Sequence, residues 1–571
     1  MVGQVEVADA GEREAVLALH RAGKLERARA GYERLLAAAP EDADLLGLLG
    51  VVALQQRRAA KAEELLRRAA GEPHPNPRIH LRNVNNLFAL FRERGQAEAA
   101  AELAGAELPD WPADAPPDAA EQARVLSLAE ALALAGRPER GAALLEGVLA
   151  HPCAEAALYD LAGRLRLECG EAAAAVPHLQ RACASEPGNW QALAALSAAH
   201  SKLGRQAEAR AAAQCCGQAA PVYLAPRRAG QEATILVLNP APAEFAGVGG
   251  GLDDLHFTKN FIAQASRMMA GEFRFASVFA DLPGAAPKLP EADLVFNNLA
   301  SGERLGQPGR LEQAVKLVER IGRPVINHPE AVFQMTRQKA AALLQDIPGL
   351  RVPRIARYWR DLSQFDEIAA DIAAQFTYPV IVRHVAADSS PKLHKSGNET
   401  AIRVADANEL RCFLERISWP QFYVIQYVDL RKVDGNYRKV RASFVGGEII
   451  MSRCQFRDEW MVGAAAGAEF YGRFPDRAAD MQRILRDPEA MLGSQLMLAL
   501  EAIRDAVPLD LFALDFDVDD DGRVVLFEVQ SAMILIPTSD SPDYAIAPKE
   551  PGERILEAFR RLVRAKINTS A

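Results

Sequence analysis

Gly170 and Gly204 stand 34 residues apart, and Ala28 and Ala62 keep the same interval nearer the start of the chain. This fixed spacing constrains the fold of the first 220 residues more than any other feature. Unrelated helices have no reason to keep one interval, whereas stacked copies of one supersecondary unit must. The repeated segments GKLERARAGYERLLAAAP, LLGVVALQQRRAAKAEELLRRAA and LAGRLRLECGEAAAAVPHLQRACASEPGNW are rich in Ala and Leu. Gly50, Gly163, Ala62 and Ala209 fall where paired helices would cross closely, and Pro40 and Pro187 would close their repeats. At this period roughly six repeats fit into residues 1–220, with a looser middle around Pro109–Pro117.

The period and these segments resemble tetratricopeptide repeats. The resemblance implies an all-α helical-repeat solenoid whose concave face holds a peptide or a partner protein. Two plainer readings stay open at this point: a generic Ala-rich bundle, and an array that serves only self-association.

Composition bounds the rest. A chain of 571 residues is too long for one core, so a multidomain protein is expected. Apolar residues at 49% and charged residues at 25% are ordinary for a soluble globular protein. A formal net charge of −9 gives no electrostatic case for nucleic acid or an anionic membrane. The first twenty residues lack a basic start and an apolar centre, and no apolar run is long enough to span a bilayer. Seven scattered cysteines without a C-x-x-C pair suit reduced thiols in a cytoplasmic protein.

After the connector GQAAPVYLAPRRAG the pattern changes. Short apolar runs at Ile235–Asn239, Asp293–Asn298 and Arg323–His328 read as buried parallel strands, with helical segments such as RLEQAVKLVERIG between them. An α/β layer unit over residues 233–328 is the expectation. Gly247, Gly249, Gly250 and Gly251 form a loop after the first of these strands, without the G-x-G-x-x-G order of a dinucleotide site.

The stretch LFALDFDVDDDGRVVLFEVQS, Leu511 to Ser531, alternates on both sides of a turn. Leu514, Phe516 and Val518 precede it; Val525, Phe527 and Val529 follow it. Asp521-Gly522 suits a two-residue hairpin. In that register Asp515 faces Glu528 on the side away from the apolar residues, and Gln530 follows on that side. Opposed carboxylates destabilise a strand pair, and a divalent cation would offset the cost because hard cations take such oxygen clusters. The same letters also spell a calcium loop, D-x-D-x-D-G-x5-E, through Asp517, Asp519, Asp521, Gly522 and Glu528. That loop needs flanking helices, and the flanks here alternate.

From Asn327 onward the order of segments resembles the ATP-grasp superfamily of carboxylate–amine ligases. The segments are NHPEAVFQMTRQKAAALLQ, GLRVPRIARY, YPVIVRHV, VIQYV, DGNYRKVRASFVGGEII and the hairpin. The resemblance implies an α+β ATP-grasp fold over residues 329–571, preceded by a pre-ATP-grasp α/β unit. It implies ATP and Mg2+ as cofactors, and a carboxylate activated as an acyl phosphate before an amine captures it. Lys339 and Arg383 would contact the ATP phosphates, and Gln426, Tyr427 and Val428 would hold adenine through the hinge backbone. Arg438 and Arg441 would contact the transferred phosphate or substrate, and Asp515, Glu528 and Gln530 would ligate the metal. The segment AADSSPKLHKSGNET would be the phosphate lid; it keeps Gly397 alone among lid glycines, with Lys395 or Lys392 as a side-chain substitute. Arg383 stands where the family has lysine, and Gln530 where it has asparagine. The substrate could be a peptide or protein recruited by the repeats. The non-enzymatic alternative is a degenerate ATP-grasp scaffold that binds nucleotide as an interaction protein.

Overall fold

The computed structural model describes residues 2–71, 76–93, 116–134, 136–242, 256, 261–282, 287–299, 301–385, 401–417, 419–462, 468–531, 535–536 and 546–569. The chain divides into two compact units, one chiefly Met1–Ala219 and the other chiefly Ala220–Ala571. Among the described residues no helix is long and apolar enough to cross a membrane.

Among the described residues the first unit is all helical, from Val2–Arg21 to Gln206–Ala219, with neighbouring helices packed in sequence order. Ala28, Ala62 and Ala209 are completely buried. A Cβ on Gly50 would come within 2.7 Å of Leu66, and one on Gly163 within 2.5 Å of Leu179, so only glycine lets these helices cross as they do.

The 34-residue interval has a further cause. Gly136, Gly170 and Gly204 adopt φ of +74°, +85° and +74°, each just past the first helix of a pair. At Gly170 the next N–H, of Glu171, donates back to the carbonyl of Arg166 at 2.8 Å, and at Gly204 the N–H of Arg205 donates to His200 at 2.9 Å. This is the left-handed closure that ends a helix by satisfying its last carbonyls. Gly23 and Arg57 make the same turn at φ +70° and +57°, and they too are 34 residues apart.

Among the described residues the second unit holds three sheets. In the first, β1 (Val222–Leu224), β2 (Ala233–Asn239), β3 (Phe273–Phe279), β4 (Leu294–Asn297) and β5 (Val325–Ile326) lie in the order β1-β3-β2-β4-β5. β2 to β5 are parallel, as their continuous apolar runs require. β1, drawn from the connector, is antiparallel to β3 and was not foreseen. The second sheet is antiparallel, with β7 (Ile355–Trp359), β8 (Val380–His384), β9 (Ala401–Val404) and β10 (Gln421–Gln426) in the order β7-β10-β8-β9. The third places β6 (Leu350–Arg351), β11 (Tyr437–Val445), β12 (Glu448–Arg457), β13 (Leu511–Val518) and β14 (Val524–Gln530) in the order β12-β11-β13-β14-β6.

One face of the third sheet carries Phe512, Leu514, Phe516 and Val518 into a core shared with Met481, Ile484, Leu496, Leu500 and Ile503 from two helices. The helix Glu550–Asn568 buries Ile555, Phe559, Leu562 and Val563 in a cluster with Phe261 and Phe296 of the parallel-sheet layer and Leu511 of β13. Asn327 strengthens that join. It is a non-glycine residue at φ +60°, held there by its side chain, which accepts from the N–H of Asp510 and of Leu511 at 3.0 Å each and donates to the Leu511 carbonyl.

Candidate nucleotide cleft

The β13–β14 hairpin sets the polar wall of the site. Asp515 pairs with Glu528 across the strands and Ala513 with Gln530, as expected from the alternation. The turn differs from the two-residue loop anticipated. Asp519 N–H bonds to the Arg523 carbonyl at 3.0 Å, leaving three residues at the tip, with Gly522 at φ +79°. A register shift after Asp515 pairs Phe516 with Leu526. The core side of β14 is therefore Val524, Leu526 and Val529, while Val525 and Phe527 join the cavity wall.

The second and third sheets enclose a cavity. Ile381, Ile425, Tyr427, Val428, Leu430, Trp460 and Met461 give it an apolar end; Arg337, Arg383, Arg438, Lys439, Asp515 and Glu528 give it a charged end. Gln426 also lines it, but its side-chain amide is spent on the Thr377 backbone, accepting at 3.0 Å and donating at 2.8 Å. Its own N–H donates to the Arg354 carbonyl.

No repulsion between Asp515 and Glu528 is left uncompensated, because arginines neutralise both. Arg441 grips Asp515 with Nε at 2.6 Å and Nη2 at 2.9 Å, and Lys439 lies 3.6 Å away. Arg337 bonds directly to the Glu528 carboxylate and to the Phe527 carbonyl at 3.0 Å, with Arg383 3.8 Å from the same carboxylate. Burial alone would raise both carboxyl pKa values. Arg441 and Lys439 instead hold Asp515 well below the usual carboxylate range, and Arg337 with Arg383 lower Glu528.

The remaining expected residues separate. Lys339 rests its Nζ 3.4 Å from the centre of the Phe333 ring and does not line the cavity; Arg337, at the start of the same helix, does. Arg438 is engaged by the fully buried Asp517, with Nε 2.6 Å from Oδ1, and Lys432 stands 3.0 Å from Oδ2. Gln530 lines a smaller adjoining cavity, which shares Arg337 and Glu528 with the main one. Lys395, Lys392, the 386–400 lid and Gly247 to Gly251 lie outside the described residues. Sequence reasoning missed Arg337, Lys439 and Trp460. Thr336, whose hydroxyl caps the helix by accepting from Lys339 N–H, was the available signal for Arg337.

The calcium-loop alternative fails. Its Asp517 is buried against Arg438, its Asp519 takes Arg351 and Arg523, and strands rather than helices flank it. Among the described residues no group of three or more His, Cys, Asp or Glu side chains is arranged to hold a metal.

A family model described as tetratricopeptide repeat matches residues 19–84. No curated protein matches the chain in sequence. Among solved structures, the RimK domain protein ATP-grasp from Sphaerobacter thermophilus is 13% identical. The match covers 58% of this chain and 98% of that one, with a TM-score of 0.34. D-alanyl-alanine synthetase A from Vibrio cholerae is 15% identical over 59% of this chain and 99% of that one, at 0.36. MamA is 15% identical over 35% of this chain and 92% of that one, at 0.19. The chain joins a helical repeat region to mixed-sheet layers.

Proposed function

We propose that the second unit is an ATP- and Mg2+-dependent carboxylate–amine ligase. The observation that carries this reading is the two-ended cavity. A flat apolar base suits Ile381, Ile425 and Trp460, and a polyphosphate suits a wall with four cations, Arg337, Arg383, Arg438 and Lys439. The donor set also fits magnesium, which takes one or two carboxylates and completes its shell with phosphate and water. Asp515 and Glu528 would hold it, both kept ionised by their arginines. Bound there, ATP would supply the phosphoryl group that activates a carboxylate, and Mg2+ would neutralise charge on the phosphates.

The chain's own residues position and neutralise. Arg337 and Arg383 would exchange the Glu528 carboxylate for phosphate oxygens, freeing that carboxylate for the metal. Tyr427, Val428 and Leu430 would shield the base from water. Phosphoryl transfer needs little else from a protein, so a nucleophilic serine or cysteine is not required. The repeats would recruit a peptide or protein carrying one of the substrates.

Calorimetric titration of the full chain with ATP, with and without Mg2+, tests the reading. Saturable, magnesium-enhanced binding is expected, and no heat at millimolar nucleotide would end it. A second reading, binding without turnover, draws on the engagement of both carboxylates by arginines. Phosphate release across a panel of carboxylates and amines separates the two.

A further inference from the structure

The smaller cavity adjoins the nucleotide cleft at the Arg337–Glu528 ion pair. Its walls include Ser301, Glu303, Met335, Glu528, Gln530 and Ser531, and it encloses about 20 Å³. That is room for one group the size of a water molecule. Because Arg337 and Glu528 line both cavities, whatever occupies the smaller one touches the same ion pair that faces the phosphates.

Glu303 is the distinctive member. One carboxylate oxygen accepts from the backbone N–H of Arg337 at 2.7 Å and the hydroxyl of Tyr423 at 3.0 Å; the other accepts from the Ser301 hydroxyl at 3.0 Å. These three donors are neutral. Unlike Asp515, Asp517 and Glu528, this carboxylate has no cation within ion-pair reach among the described residues. A carboxylate accepts about four hydrogen bonds, so one acceptor position remains. Gln530 adds a side-chain carbonyl that makes no hydrogen bond among the described residues, and the Arg337–Glu528 pair adds no net charge.

We infer that this cavity is the subsite for the acceptor amine, held as a primary ammonium group by Glu303 with the Gln530 carbonyl as a second acceptor. The assignment rests on the ligase reading of the adjoining cleft and adds to it the location and charge of the second substrate's head group. An ammonium presents only donors, which suits the open acceptor positions of Glu303 and Gln530, whereas a carboxylate or phosphate would meet the Glu303 carboxylate, which makes no ion pair among the described residues. A divalent cation is disfavoured there, because among the described residues no group of three or more His, Cys, Asp or Glu side chains is arranged to hold one.

Methylammonium chloride serves as the probe, and tetramethylammonium chloride at equal ionic strength as the control, since the latter has no N–H and is too large. In the nucleotide-free full chain, methylammonium should raise the melting temperature of the second unit above the control. Glu303→Gln should weaken the apparent methylammonium affinity about tenfold, the loss of one charge-assisted hydrogen bond. Gln530→Leu leaves the Glu303 contacts intact and removes the second acceptor, so it should shrink the difference even if Glu303→Gln folds poorly. Equal effects of the two salts on the natural chain would mean that the cavity holds only water and would overturn the inference. A difference that survives both substitutions would do the same. ATP titration of the same samples reports on the ligase reading separately. Failure there, with a Glu303-dependent methylammonium effect intact, would remove the reaction but not the site.

Discussion

Replacing Glu528 by Gln sets two opposing effects against each other. Read from the strand register alone, the change removes a repulsion between directly opposed carboxylates, which costs about 0.2–1 kcal/mol. The structure adds the larger effect. Glu528 neutralises Arg337, whose side chain is 11% exposed, and faces Arg383 as well. Breaking one partner out of a buried pair costs about 3–5 kcal/mol, because the other charge is left without compensation. The difference leaves a net loss of about 2–5 kcal/mol in the metal-free, nucleotide-free protein. Urea denaturation followed by tryptophan fluorescence reads the second unit through Trp359, Trp419 and Trp460. Adding Arg337→Met to Glu528→Gln should recover part of the loss. If Glu528→Gln alone leaves the midpoint unchanged or raises it, the ion-pair argument is wrong and repulsion governs the hairpin.

Arg337→Ala or Arg383→Ala should each weaken ATP binding by a factor of about ten to a hundred, the worth of one charge-assisted contact, whereas Lys339→Ala should leave it unchanged; calorimetry distinguishes them. Arg57→Gly should stabilise the repeat unit by about 0.5–1 kcal/mol, since left-handed backbone costs an L-residue about 1–2 kcal/mol and the added freedom of the unfolded chain offsets part of the gain; the helical circular-dichroism signal in urea measures it. Burial lowers the His256 imidazole to about 4, so the unfolded chain binds its proton first on acidification. Its stabilising effect is complete above about pH 6.5 and disappears as pH falls through about 4, a loss of about 3 kcal/mol. His256→Gln should flatten the stability profile over that window.

Much of the architecture was legible because it follows from local rules. The 34-residue interval marks left-handed helix ends, and the interval persists at Arg57, where glycine is missing but the turn is kept. The alternation of Leu511 to Gln530 placed Asp515 opposite Glu528, since side chains on a strand have period two. The bulge after Asp515 lay beyond the same rule, for nothing in the letters marks where one strand gains a residue. The letters point to Lys339 and are silent on Arg337, because the helical phase depends on where the helix begins. Two residues along a helix is a turn of about 200°, which puts Lys339 on Phe333 and Arg337 against β14. Glu303 was invisible for a different reason. Its importance comes from Arg337, Tyr423 and Gln530, which lie 34 to 227 residues away in sequence.

The helix Glu550–Asn568 bears on the order in which this protein can be made. Its Phe559 stacks edge-on against Phe261 and Phe296, with ring centres 5.1 and 6.0 Å away. Those two aromatic residues leave the ribosome more than 250 residues earlier. At about 5–20 residues per second, the nascent parallel sheet waits on the order of tens of seconds with that apolar face uncovered. The repeats need only their neighbours and can fold as they emerge. A chaperone that holds exposed apolar surface would therefore meet this chain through its second unit, after the first is already formed.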